Sequence, residues 1–190
     1  MFFRKISAMG VSLFLAQCVL FSGCGYQYGS ILPAGQDSIH VDNFENKIGA
    51  SGDVSDKRAS YSYRPGLEID ITKAVIQEFI FDGALKIKSS DNADLILTGE
   101  LVDFRQYPLS YNEDQEDNDR RDVEEFRMQI YADIALSDNK TGKVLWKERS
   151  FMGRYSYTVV GPNAESEETA IGKTVKDLAD RIVERVVEDW

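Results

Sequence analysis

The 190-residue sequence has one histidine, two cysteines, four prolines and no apolar run of the ~20 residues that a membrane-spanning helix needs. Each shortage excludes something. A Ser–His–Asp or Cys–His catalytic set would have to use His40, which falls in a predicted short strand and reads as an ordinary surface residue. A structural zinc site needs several His or Cys ligands, and they are not there. Gly49-Ala50-Ser51-Gly52 lacks the Lys and Ser/Thr with which a P-loop holds phosphate. Positive charge is also scarce: 22 Lys and Arg stand against 32 Asp and Glu, a formal net charge of −10. Nucleic-acid binding rests on neutralising phosphates with Lys and Arg, so the chain is expected to bind no nucleic acid. No catalytic residue, metal ligand or cofactor is expected.

What is present begins at the N-terminus. Arg4-Lys5 precedes a stretch from Ile6 to Phe21 with no formal charge, ending in Phe21-Ser22-Gly23-Cys24. A basic start, a short apolar stretch and small residues before a cut site form a secretory signal. The cysteine directly after them marks the bacterial lipoprotein signal, in which the thiol is acylated. The expectation is therefore a signal peptide over residues 1–23, cleavage between Gly23 and Cys24, and lipid on Cys24. The alternative is a plain signal peptide with an incidental cysteine. Stable anchoring needs more than one acyl chain, and a triacylated cysteine supplies it. Gly25, where an Asp would favour inner-membrane retention, points to the periplasmic side of the outer membrane. Cys18 leaves with the signal and Cys24 is acylated, so no disulfide is possible in the mature chain. Removal of Arg4 and Lys5 takes the net charge to −12.

The mature chain divides into a tether, residues 24–37, and one domain, residues 38–190. Ser38 to Phe44 alternates as a short strand, and Glu45 to Pro65 reads as a polar loop. From Gly66 to Phe81 the period changes: Leu67, Ile71, Ala74, Val75, Glu78 and Phe79 share one face of a helix. Asp82-Gly83 ends it. Strands follow at Ala84–Ile87 and Ala93–Tyr107, and the pattern breaks from Tyr107 to Asp122. Val123 to Leu136 alternates without a miss, with Phe126, Met128, Ile130, Ala132, Ile134 and Leu136 on one face. Asp138 to Gly142 is a hairpin connection. Lys143 to Val160 returns as a strand carrying Trp146, Phe151, Tyr155 and Tyr157, whose default role is packing on the sheet. Glu165, Glu167 and Glu168 open a final helix whose apolar stripe runs from Ile171 to Val187. The order β-α-β-β-β-β-α predicts an α+β two-layer sandwich, a mostly antiparallel sheet of four to five strands under two helices.

Two features remain. The acidic stretch Glu113–Asp119 lacks the glycine of a calcium loop and reads as a solvated loop. Arg120 and Arg121 beside it suit phosphate groups by their bidentate geometry, or neutralise the acidic loop.

Taken in order, several segments resemble the lipopolysaccharide-assembly lipoprotein family LptE, also called RlpB. They are Gly23-Cys24-Gly25-Tyr26, Ile39 to Asn46, Phe79 to Gly83, Ala93 to Gly99, Thr141 to Trp146 and Asp177 to Val183. The resemblance covers nearly the whole mature chain. It implies a non-enzymatic subunit that plugs and helps fold the outer-membrane barrel LptD, and that binds lipopolysaccharide. It also implies a ligand-binding basic residue shortly before the long central strand, for which Arg120 and Arg121 are the nearest matches. Two other classes compete. Regulators of periplasmic peptidoglycan synthases share the strand–helix–strand start but carry long tethers. Here Gly25 to Asp37 spans on the order of 40 Å at most. A periplasmic hydrolase would need a catalytic set the sequence does not supply.

Overall fold

A computed structural model of the chain describes residues 35–48, 64–111 and 123–188, all within a compact unit running from Ile31 to Trp190. The signal peptide, Gly23, Cys24, the tether as far as residue 34, the acidic loop, Arg120 and Arg121 lie outside the described residues.

The first helix, α1 (Leu67–Asp82), buries Leu67, Ile71, Thr72, Val75 and Phe79, four of them on the apolar face read from the sequence. Gly66 and Gly83 flank it at φ 92° and 78°, conformations that side chains disfavour. The Gly83 N–H donates to the Phe79 carbonyl at 3.0 Å and closes the last turn. The second helix, α2 (Glu167–Val187), starts at Ser166, whose hydroxyl accepts from the Thr169 N–H at 3.2 Å. Such a cap is worth about 1 kcal/mol. Its buried stripe, from Ala170 to Val187, is wide enough to face both the sheet and α1.

The strands are β1 (Ser38–Val41), β2 (Glu45–Asn46), β3 (Lys86–Ile87), β4 (Leu95–Tyr111), β5 (Val123–Asp138) and β6 (Val144–Thr158). They form one sheet in the order β3-β1-β4-β5-β6, with β2 also paired to β4. The architecture is the expected α+β arrangement, with two differences. There are six strands among the described residues, because β2 lies in the stretch read as polar loop and two residues carry no periodicity. The sheet is also mixed: β1 runs parallel to β3 and β4, and β2 parallel to β4. The long pairings β4–β5 and β5–β6 are antiparallel and make up most of the sheet.

The break expected at Tyr107 comes later. β4 continues through Pro108 to Tyr111, with register shifts on either side of Ser110. Beyond Leu101, the only β4 pairing among the described residues is to β5. Proline is tolerated on such an edge or at a bulge, since no ladder bond is lost there. β5 buries Met128, Ile130, Ala132, Ile134 and Leu136, five of the six positions its alternation singles out.

Two features set the packing. Gly153 of β6 lies directly beneath α2: a Cβ there would sit 2.5 Å from Leu178 Cβ and 2.8 Å from its backbone N and Cα. Asp94, just before β4, accepts from the Ser38 hydroxyl at 2.6 Å and from Lys140 Nζ at 2.7 Å. The Asn139 amide beside it donates to the carbonyls of Ser90 and Ala93 at 2.6 and 2.8 Å. These bonds fix the starts of β1 and β4 against the β5–β6 turn.

Gly153→Ala is expected to push the α2 backbone off the sheet and destabilise by about 1–3 kcal/mol, read from the urea midpoint at unchanged slope. The Lys140 ammonium, then the Ser38 hydroxyl, hold the Asp94 carboxyl well below the usual carboxylate range. A carboxylate depressed below its unfolded value of ~3.9 stabilises the fold above that pH and loses the contribution as pH falls toward its folded value. Asp94→Asn should therefore lower stability at neutral pH and flatten its decline below about pH 4; a parallel decline in both proteins would refute this.

Candidate functional site

Antiparallel strands send alternate side chains to opposite faces, so registers sort the residues of β4, β5 and β6. One face carries Leu97, Leu101, Phe104, Met128, Ile130 and Ala132 beneath the helices. The aromatics of β6 belong to this inner face. Tyr157 is buried and stacks on Phe126 with ring centroids 5.9 Å apart. Trp146, Phe151 and Tyr155 pack against the core. Helix α2 lays a cation over each: Lys173 lies 4.8 Å from the Tyr155 ring centre, Arg181 5.9 Å from Phe151 and Arg185 4.7 Å from Trp146. Arg185 also pairs with Glu148. The helix thus covers the inner side of β6, and the Asp177 carboxylate accepts the Arg154 backbone N–H at 2.8 Å.

The opposite face of the same three strands is polar and half-exposed. Asp103 pairs across from Tyr131, and Arg105 across from Gln129. The Arg105 guanidinium bonds Asp103 at 2.5 Å and the Tyr107 hydroxyl at 3.2 Å, and lies 5.4 Å from the centre of the Tyr131 ring. The Tyr107 hydroxyl, followed by Asp103, raises the Arg105 pKa further above its ordinary value. Burial raises the Tyr131 phenol, so at neutral pH its hydroxyl is protonated and donates to Gln129 Oε1 at 3.1 Å. Gln129 in turn donates to the Met152 sulfur at 3.3 Å. Two bulges border this network. One lies between Leu101 and Asp103 of β4, and the other is where β6 slips against Ala132 and Ile134. In the second, Ser150 adopts φ 53° and its N–H donates to Asp133 at 2.8 Å. Bulges at one level on both neighbours of β5 increase the local twist and re-aim the side chains beyond them.

Those side chains include two further arginines. Arg127 pairs with Ser156 and Gln129 with Arg154, so Arg127 and Arg154 are diagonal neighbours, a relation that spans ~7–8 Å between Cα atoms. Arg154 is exposed; Arg127 is half-buried and donates to the Ser156 hydroxyl at 3.2 Å. Two guanidinium groups at that spacing can share one phosphate or carboxylate. The family resemblance implies a basic site at Arg120 and Arg121, which lie outside the described residues. The alternation of β5 does send Arg127 to the polar face, but only the β5–β6 register brings Arg154 beside it.

His40 sits in β1, its Nδ1 2.9 Å from the Lys88 carbonyl and its Nε2 3.3 Å from Asp42. The first contact ties β1 to the segment after β3. Among the described residues no group of three His, Cys, Asp or Glu is placed to hold a metal ion.

The model of the LptE lipopolysaccharide-assembly family matches residues 37–186. No curated protein matches the sequence. Among solved structures, the rare lipoprotein B of Shewanella oneidensis is similar at 13% identity and TM-score 0.41, over 77% of this chain and 92% of that one. A minor lipoprotein of Acinetobacter baumannii is 9% identical at TM-score 0.43, over 80% and 92%. PelC of Paraburkholderia phytofirmans, a dodecamer, is 13% identical at TM-score 0.43, over 81% and 89%. Likeness at this level says nothing of function.

A double-mutant cycle between Arg105→Ala and Tyr131→Ala should give a coupling of about 0.5–1 kcal/mol, the range for a partly exposed cation–ring pair. Additive effects would show that the contact contributes nothing.

Proposed function

Because this chain belongs to the LptE lipopolysaccharide-assembly family, we propose that it is a non-enzymatic outer-membrane lipoprotein of the lipopolysaccharide translocon. In this reading, acyl chains on Cys24 hold it at the periplasmic side of the membrane, after cleavage at Gly23. The domain fills the lumen of the barrel LptD, assists its assembly, and touches lipopolysaccharide in transit. The observation that carries the reading is the extent of the family match, which begins before β1 and ends in the last turn of α2.

The geometry supports the reading. The interiors of outer-membrane barrels are polar. A plug for such a lumen needs a rigid body with a polar face that no helix of its own covers. Among the described residues, the outer face of β4–β5–β6 is such a face, and it is braced by the network around Arg105 and Tyr131. Lipopolysaccharide carries phosphate and carboxylate groups. Arg127 and Arg154 form the proposed contact for them, together with Arg120 and Arg121, which the resemblance implies and which immediately precede β5 in sequence.

The tagged, lipidated chain, isolated from Gram-negative envelopes in mild detergent, should bring down a large β-barrel protein in stoichiometric amount. Recovery as a monomer without a barrel would sink the plug reading. The double substitution of Arg127 and Arg154 by Ala should weaken lipopolysaccharide binding about tenfold, the loss of roughly one charge-assisted bond. Barrel recovery and melting temperature should hardly change. Equal binding by parent and variant would remove this pair from the ligand path.

A further inference from the structure

The described residues expose large apolar side chains at both ends of the long strands. At one end are Ile80, 66% exposed, Phe81, 85% exposed, and Val144, 54% exposed. At the other are Leu109, Tyr111, Val159 and Val160. Registers place Val144 at the same end of the sheet as β3, on the opposite edge: Ser38 pairs with Lys86, Ile39 with Leu95, Leu95 with Asp138, and Ser137 with Val144. Ile80 and Phe81 lie in the last turn of α1, just ahead of β3. The N-terminal segment joins the domain at this same end, where the Gln36 amide donates to Asp138 at 3.2 Å.

The tether decides between the two ends. From Cys24 to Gly35 the chain has eleven residue steps, at most about 40 Å when fully extended. From Leu95 to Pro108, β4 pairs with Asp138 to Phe126 of β5, twelve residues or about 40 Å of strand. A domain standing with its Leu109 end on the leaflet would need the tether drawn out to its full length. The Phe81 end meets no such limit. Its charge opposes contact with a phospholipid surface only weakly: in a chain of net charge −10, Lys86, Lys88, Lys140 and Lys143 stand against Asp37, Asp82, Asp91, Asp94 and Asp138. No helix among the described residues is long and apolar enough to cross a membrane, so contact there would be with the surface only.

We propose that, in the lipidated chain without a protein partner, Phe81 and Ile80 seat in the headgroup region of the leaflet that holds the acyl chains of Cys24. The contact rests on the Cys24 anchor of the reading above, and not on the barrel. An aromatic ring and a branched aliphatic chain on the last turn of a helix fit that boundary, where one side is apolar and the other wet. The seated end fixes how the domain stands, with the arginine-bearing half of the sheet directed away from the membrane.

The mature lipidated chain leaves a single reactive thiol when Phe81→Cys is introduced, since Cys18 departs with the signal and Cys24 is acylated. Each of Phe81→Cys and Leu109→Cys is labelled with the same environment-sensitive fluorophore and reconstituted on 3:1 phosphatidylethanolamine–phosphatidylglycerol vesicles. The probe at 81 should shift to the blue and be quenched at least several-fold more by lipids nitroxide-labelled near the headgroup than the probe at 109. The probe at 109 controls for the fluorophore's own affinity for lipid. Equal quenching at both positions, or none at 81 in chain that floats with vesicles, overturns the contact and leaves the anchor standing. Chain that fails to float with vesicles overturns the anchor and the contact together.

Discussion

The close approach of α2 to β6 at Gly153 is the constraint from which the rest of the molecule follows. With no Cβ at that position, the helix backbone rests on the strand, and Leu178 reaches the sheet directly. Contact at that point aligns the helix along β6. Lys173, Arg181 and Arg185 then fall over Tyr155, Phe151 and Trp146 in turn. The same alignment brings Lys176 within 3.5 Å of Glu78 on α1, the one charged residue on that helix's otherwise apolar face. Both described helices are therefore committed to one side of the sheet, and among the described residues the other side is left polar and open.

That asymmetry is the basis of the functional reading. The sheet face that the helices do not cover is not a bland hydrated surface. Its side chains hold one another: Asp103, Arg105, Tyr107, Tyr131, Gln129 and Met152 form a connected set across three strands. A face braced in this way gives Arg127 and Arg154 a firm strand framework on its border. This suits the proposed role of a plug that touches its ligand.

Much of this was legible in the sequence, and what was not has a physical reason. The apolar face of α1, the stop at Gly83, the unbroken alternation of β5 and the stripe of α2 are local patterns, each set by side chains a few residues apart. The Ser166 cap could have been read from its place before Glu167 and Glu168. β2 was not legible because two residues have no period. The extension of β4 through Pro108 was hidden because a proline reads as a break unless the strand is known to be on an edge there. The Arg127–Arg154 diagonal depends on a register between strands joined by a hairpin and slipped by bulges, and no local window contains that information. The family resemblance spans these gaps because it compares order and spacing along the whole chain. The family match from 37 to 186 covers the domain it pointed to.

The bonds that tie Ser38 to Asp94 and Gln36 to Asp138 also have a mechanical meaning. β1 lies between β3 and β4 and runs parallel to both, and the tether leaves from its first residues. Tension on the tether is thus directed along the strand axis. It loads the ladders on both sides in shear, together with the Asp94 and Asp138 contacts, instead of peeling one hydrogen bond at a time. A strand held on both flanks and pinned at its start resists such a pull as a unit. With the anchor proposed at Cys24, the domain could be tugged through its tether without coming apart at the point of attachment.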